Sequence, residues 1–248
     1  MILRNIEFDL KYQKNHQYIE MVQQEQGLSY DEAIKLDYEN HWKEKRHLFK
    51  KMTRCMTSMI EQNMGKIQTK DCWKLIFSCE NRPEKSSVIN LLGAYEIPFM
   101  FDDEMFMAAT NYERKKLIID AILCWVQNPP NELDFDLSSI GDACKKIIQK
   151  NYEYSFIWGK SIKKKHREVQ IEIIHDVEHA KLFMILLENN KILFKKFIVE
   201  TEPHEIVYNN YLGTLEWTGD SSVALVTTDG KRIQIDYSKE LLLANRIK

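Results

Sequence analysis

Glycine is scarce in this chain, at eight of 248 residues, and no two glycines stand in a G-x-G arrangement. No G-x-x-x-x-G-K-[ST] stretch occurs either, so the phosphate-cradling turns of dinucleotide-binding and P-loop proteins have no counterpart. The five cysteines (Cys55, Cys72, Cys79, Cys124, Cys144) form no C-x-x-C pair, are odd in number and lie in mostly apolar surroundings. They predict buried, reduced thiols rather than a disulfide framework. No apolar run approaches the ~18 residues that span a bilayer. The opening stretch, Met1-Ile-Leu-Arg-Asn-Ile-Glu-Phe-Asp9, carries charges where a signal peptide keeps its apolar core, so the expected location is the cytoplasm, with no membrane partner. A large excess of either charge is also missing. The net charge of -2 argues against a surface built throughout for nucleic acid, although local patches remain possible.

What is present is a globular composition, 44% hydrophobic and 29% charged, long enough for one large domain or two smaller ones. Near residue 165 the hydrophobic period changes from about 3.6 to 2. Val169, Ile171 and Ile173 alternate, an apolar run Leu182 to Leu187 meets Asn189-Asn190, and a second run, Ile192 to Val199, follows. Further on, Val223 to Val226 and Ile233 to Ile235 flank Asp229-Gly230, a pair suited to a tight type I′ turn. This last third of the chain reads as an antiparallel β-meander.

Before it the pattern is helical with a few short strands. Ile6, Phe8, Leu10 and Tyr12 alternate with polar residues and predict a half-buried strand that joins a sheet formed later. Asn15 to Gln26 reads as a helix stopped by Gly27, and Ser29-Tyr-Asp-Glu32 is a capping box opening a long helical stretch that Gly65 ends. Trp73 to Phe77 and Tyr95 to Phe101 read as strands around the polar segment Glu80 to Ser87, with Pro98 favouring an edge or irregular position. Asp102-Asp-Glu104 opens a helix running through Trp125, Asn128-Pro-Pro130 stops it, and another helix spans Ser138 to Lys150. The fold class is therefore α+β, a helix-rich part over 1–160 and an antiparallel sheet part over 161–248, as two domains or one compact body.

Chemical motifs are few. His175-Asp-Val-Glu178-His179 fits the H-x-x-E-H text of inverted zincins, which need both histidines on one helical face. Its flanks are strand-like, so a solvated hairpin tip is expected and no metal or other cofactor is assigned. Glu113-Arg-Lys115 below Asp102 and Asp103 has the acid and E-x-K spacing of metal-dependent nucleases, yet falls on an expected helix, where residues two apart face differently. No G-x-S-x-G elbow or cysteine nucleophile motif is present, and no catalytic residue is assigned. Two basic stretches, Lys43 to Arg54 and Lys160 to Arg167, could meet phosphates but read better as a solvated helix face and a connector. Acidic clusters point toward a basic protein partner: Asp102, Asp103 and Glu104 among Phe99, Phe101, Met105 and Phe106, and Glu132, Asp134 and Asp136 alternating with Leu133, Phe135 and Leu137. These six acids are the candidate partner-binding residues.

Tyr112-Glu-Arg-Lys-Lys-Leu-Ile-Ile-Asp-Ala-Ile122, then Phe156-Ile-Trp-Gly-Lys160, then Tyr211-Leu-Gly-Thr-Leu-Glu-Trp217 in the meander, resembles the bacterial immunity proteins of polymorphic toxin systems. The resemblance covers about half the chain and, because that group gathers unrelated folds, implies no site residue. It implies a non-catalytic protein that binds and neutralises a cognate toxin. Two other readings stand beside it: a hydrolase or nuclease whose active residues converge from distant segments, and a nucleic-acid accessory module.

Overall fold

A computed structural model describes residues 1–83 and 87–238. Residues 84–86 of the polar segment, and the last ten residues of the carboxy-terminal part, lie outside the described residues. The fold is α+β, with two compact units, Met1–Tyr152 and Glu153–Lys248.

In the first unit the chain runs β1 (Ile2–Leu3), β2 (Asn5–Leu10), α1 (His16–Gln26), α2 (Tyr30–Asp37), a π-helical turn (Tyr38–Trp42), α3 (Lys43–Asn63), β3 (Ile67–Gln68) and β4 (Lys74–Glu80). It continues through β5 (Ile89–Leu91), β6 (Ala94–Met100), α4 (Asp103–Ala108), α5 (Asn111–Gln127) and α6 (Ser138–Gln149). β2, β4 and β6 are parallel neighbours, β5 pairs antiparallel with β6 at one edge, and β1 pairs with β3. A parallel pair cannot be closed by a tight turn, and α1 to α3 supply the crossover from β2 to β4.

Alternation decides which face of this sheet is covered. The row Phe8, Phe77, Ile97 is in register and fully buried. Phe77 meets Trp125 of α5 edge-on at 4.8 Å, and Phe49 of α3 meets Phe106 of α4 at 5.1 Å. β2 is the other edge of the sheet. Its outward Ile6 amide donates to Glu61 Oε1 of α3 at 2.8 Å, which satisfies a group that would otherwise template a foreign strand. Pro98 lies beyond the Glu96–Ile89 pair that ends β5, so its missing N–H costs no bond on that side.

Helix ends follow their capping chemistry. Asn15 caps α1, Gly27 ends it at φ +68°, and the Ser29–Glu32 box opens α2. One expectation is corrected: the helix from Asp102 to Trp125 is two helices. Ala109 is extended, and Thr110 restarts the chain with its own box, its N–H donating to Glu113 at 2.8 Å. The nuclease-like Glu113 is thus a helix cap.

The second unit holds β7 (Ser155–Lys164), β8 (Arg167–His175), β9 (Ala180–Glu188) and β10 (Lys191–Thr201) as an antiparallel meander. Then come α7 (Glu205–Tyr208), a 3₁₀ turn (Asn209–Tyr211) and the sheet β11 (Thr214–Trp217), β12 (Ser222–Val226), β13 (Arg232–Asp236). Val169, Ile171 and Ile173 of β8 and Leu182, Met184 and Leu186 of β9 share one core with Leu215, Val223, Leu225 and Ile235. Asn189 and Asn190 both take positive φ, as a type I′ turn requires. At Asp229-Gly230 the expectation fails. Only Gly230 is left-handed, at φ +83°, in a loop closed by Thr227 and Lys231, so the connection is a longer hairpin loop. The basic connector is corrected too: Lys160 to Lys164 belong to β7, and Lys165-His166 is the turn into β8.

Candidate functional site

α4 and α5 meet at the Ala109-Thr110 break, and their angle opens a groove of about 450 Å³ lined by Met105, Ala108, Ala109, Glu113, Lys116, Leu117 and Asp120. The small residues at the break cannot fill the corner, and Met105 stays 52% exposed for want of anything to pack against. Leu117 completes an apolar floor, while Glu113 and Asp120 stand on its rim with Lys116 the opposing charge. Glu113 is held below the usual carboxylate range by the amide and hydroxyl of Thr110, so it stays ionised through neutral pH.

The six acids separate on inspection of their partners. Asp102 caps α4, accepting from the Met105 amide at 2.8 Å, and Glu104 is exposed one residue before Met105. Asp103 is only 4% exposed and pairs with Lys45 of α3 at 2.5 Å. It ties α4 to α3 and offers no outward charge. Glu132, Asp134 and Asp136 are exposed but lie in an irregular segment before α6 rather than along a strand. Asp136 accepts from the Ser138 amide at 2.8 Å and hydroxyl at 2.7 Å, and these bonds lower its pKa.

The basic face of α3 meets countercharges of its own unit, at the surface for Lys43 and in part-buried pairs for the others. Lys43 pairs with Glu39, Arg46 with Asp9, Lys50 with Glu7 and Asp9, and Arg54 with Glu61. On the open face of the first sheet, Asp9, Lys11, Tyr12, Tyr38, Arg46, Ser78 and Glu96 line a cleft of about 390 Å³. Its Asp9 carboxylate is claimed by Arg46, and no histidine is among the lining residues. Tyr12 donates to the buried Asp37 at 2.5 Å, which also binds His41 Nδ1 at 2.8 Å; this network fixes the π-helical turn.

His175 and His179 flank a β8–β9 hairpin tip, with His175 opposite Ala180 in register. The hairpin is as expected but its tip is not simply solvated: Val177 is buried, and His175 is buried beside the rings of Tyr154 and Tyr208, its Nε2 donating to the Pro203 carbonyl at 3.0 Å. Among the described residues no group of three or more His, Cys, Asp or Glu is placed to hold a metal ion. Burial pushes the thiols of Cys72 and Cys144 up to about 11 and about 12, whereas Cys124 is exposed, against the expectation that all five cysteines are buried. No helix among the described residues is long and apolar enough to cross a membrane.

Ala108 does not stand out in the sequence, Met105 figures there only as an apolar neighbour of the acids, and Leu117 and Asp120 fall within what reads as one continuous helix. The signal that could have found them is Thr110-x-x-Glu113, a second capping box inside an apparently continuous helix. No family model, no curated protein and no solved structure matches this chain.

Proposed function

We propose that this chain is a non-catalytic protein-binding module, immunity-like in its task, whose α4–α5 groove takes an apolar segment of a basic partner protein. The observation that carries the reading is the half-exposed Met105 over a floor of Ala108 and Leu117, edged by Glu113 and Asp120. Apolar floor and acidic rim divide the work of recognition: buried side chains hold the partner, and ionised carboxylates raise the encounter rate and select for positive charge. Asp102 and Glu104 extend the acidic edge at the start of α4, with Glu132, Asp134 and Asp136 as a second acidic segment. Asp103, already paired with Lys45, is left out.

The test is co-expression with the product of the adjacent gene, followed by native mass spectrometry of the purified pair. A 1:1 complex that is lost in Met105→Glu and weakened at least tenfold in Asp120→Lys supports the groove. A complex unchanged in both variants removes the groove, and the lack of any complex removes the partner reading.

A further inference from the structure

The β7–β8 turn places four basic residues side by side, and the structure puts an aromatic wall beside them. Lys164, Lys165, His166 and Arg167 line a cavity of about 300 Å³ with Trp217, Asp220 and Tyr237. Lys164 lies over the Trp217 ring at 5.9 Å and Arg167 over the Tyr237 ring at 5.1 Å. Two carboxylates offset this charge. Glu188 is shared by Arg167 and His166 at 2.9 Å each, and Asp220 meets Lys164 at 2.8 Å. The two acids differ in how firmly they are held. Glu188 is seated on β9 between two donors, whereas the Asp220 side chain is 97% exposed, a solvated pairing that a stronger anion displaces at little cost. Lys165 sits at φ +55° in the turn and adds its charge to that of Lys164 in holding Asp220 ionised. The Trp217 indole N–H is shielded from water and has no acceptor among the described residues.

We propose that this cavity binds a nucleotide phosphate, with Lys164 and Lys165 on the phosphoryl oxygens and Trp217 against the base. The pairing of ammonium groups with an aromatic face is the chemistry that holds single nucleotides, whether free or at the end of a single strand. The phosphate would take the place of the Asp220 carboxylate on Lys164. Arg167, braced by Glu188 and Tyr237, fixes the wall rather than reaching for the ligand.

Isothermal titration of the full chain with ATP, with pyrophosphate and with a short oligouridylate tests the site and its source. Saturable 1:1 binding by ATP or the oligonucleotide, falling with added salt, is expected, with about tenfold weakening in Lys164→Gln and in Lys165→Asn and tightening in Asp220→Asn. ATP binding assigns a free nucleotide, and oligonucleotide binding alone assigns a single strand. Asparagine tolerates the left-handed turn, so Lys165→Asn carries the test if Lys164→Gln disturbs the fold. No saturable binding by any of the three ligands, or binding indifferent to both lysine variants, overturns the site. Pyrophosphate binding as tightly as the nucleotides overturns the role of Trp217.

Discussion

Arg46 of α3 grips Asp9 of β2 with two parallel bonds, Nε to Oδ1 and Nη2 to Oδ2, both 2.5 Å. Asp9 is largely sheltered while the guanidinium keeps contact with solvent, so the pair works as a clamp between helix and edge strand rather than as a buried charge. Arg46→Met strands the carboxylate with only Lys50, 3.6 Å away. We expect a loss of about 1–2 kcal/mol in urea unfolding, with Asp9→Asn costing less and the double variant recovering part of the loss. Strictly additive losses would show that the two residues are not coupled.

Acid should destabilise both units through carboxylates that the fold holds below their ordinary pKa, Glu7 on the same edge strand among them. Burial pushes the Glu7 carboxyl up, but hydrogen bonds and charge from Lys50 and Lys74 outweigh it and leave its pKa below the ordinary value. For Asp37, burial likewise loses to Tyr12, the Asn15 amide and His41. Asp229 is drawn down to about 2, chiefly by Thr227 and then by Lys231. Each folded-state value lies below the unfolded one, so the stabilisation is present above about pH 4 and is lost as pH falls through the folded values. Lys74→Met should move the acid-unfolding midpoint to higher pH by circular dichroism. A midpoint that stays put would mean the Glu7 pairing contributes nothing to acid resistance.

Most local chemistry was legible in the sequence, the Asp229-Gly230 loop and the Thr110–Glu113 box being the exceptions, and distant pairing was not. Asn15, Gly27, Ser29 and Asn189-Asn190 act within a few residues, so the turn or cap each demands can be read directly. The alternation of Ile6, Phe8 and Leu10 announced a strand but not its partner, because the parallel register of Phe8 with Phe77 is set by packing across the α1–α3 crossover. Asp103 looked like its neighbours until Lys45 arrived from another helix. The groove escaped because it belongs to the angle between two helices, and a hydrophobic period shows one helix at a time. Glu132, Asp134 and Asp136 alternate as a strand would, yet Pro129-Pro130 before them and the turn that Asp136 makes with the Ser138 amide after them hold the segment irregular.

Gly93 is a point of close approach at the edge of the first sheet. It turns β5 into β6 at φ +88°, and a Cβ there would sit 2.7 Å from the Asp71 carbonyl oxygen and 2.7 Å from Trp73 Cδ1. Asp71 cannot retreat freely, since its carboxylate accepts from Tyr95 at 2.6 Å and Asn90 at 3.1 Å. Gly93→Ala therefore combines left-handed strain with a backbone clash, and about 2–4 kcal/mol of destabilisation is expected in chemical unfolding. Gly27→Ala has the same sign of φ and open space around it, so it should cost only the strain, about 1–2 kcal/mol. Equal losses at the two positions would show that the contacts with Asp71 and Trp73 carry no weight.

The two histidines of the zincin-like text make opposite predictions about metal and packing. Zinc binding needs both imidazoles directed at one point, but His175 is turned into the core, where Pro203, Tyr154 and Tyr208 surround it, and His179 lies across the hairpin tip. A chelator should therefore leave the melting temperature unchanged, and emission spectroscopy of the purified chain should find no stoichiometric zinc. His175→Ala should cost about 2–3 kcal/mol by opening a cavity and orphaning the Pro203 carbonyl, whereas His179→Ala should cost under about 1 kcal/mol. If His179→Ala were instead as damaging as His175→Ala, and both losses appeared only in the absence of chelator, the pair would be acting on a shared ion and the hairpin account of this segment would fail.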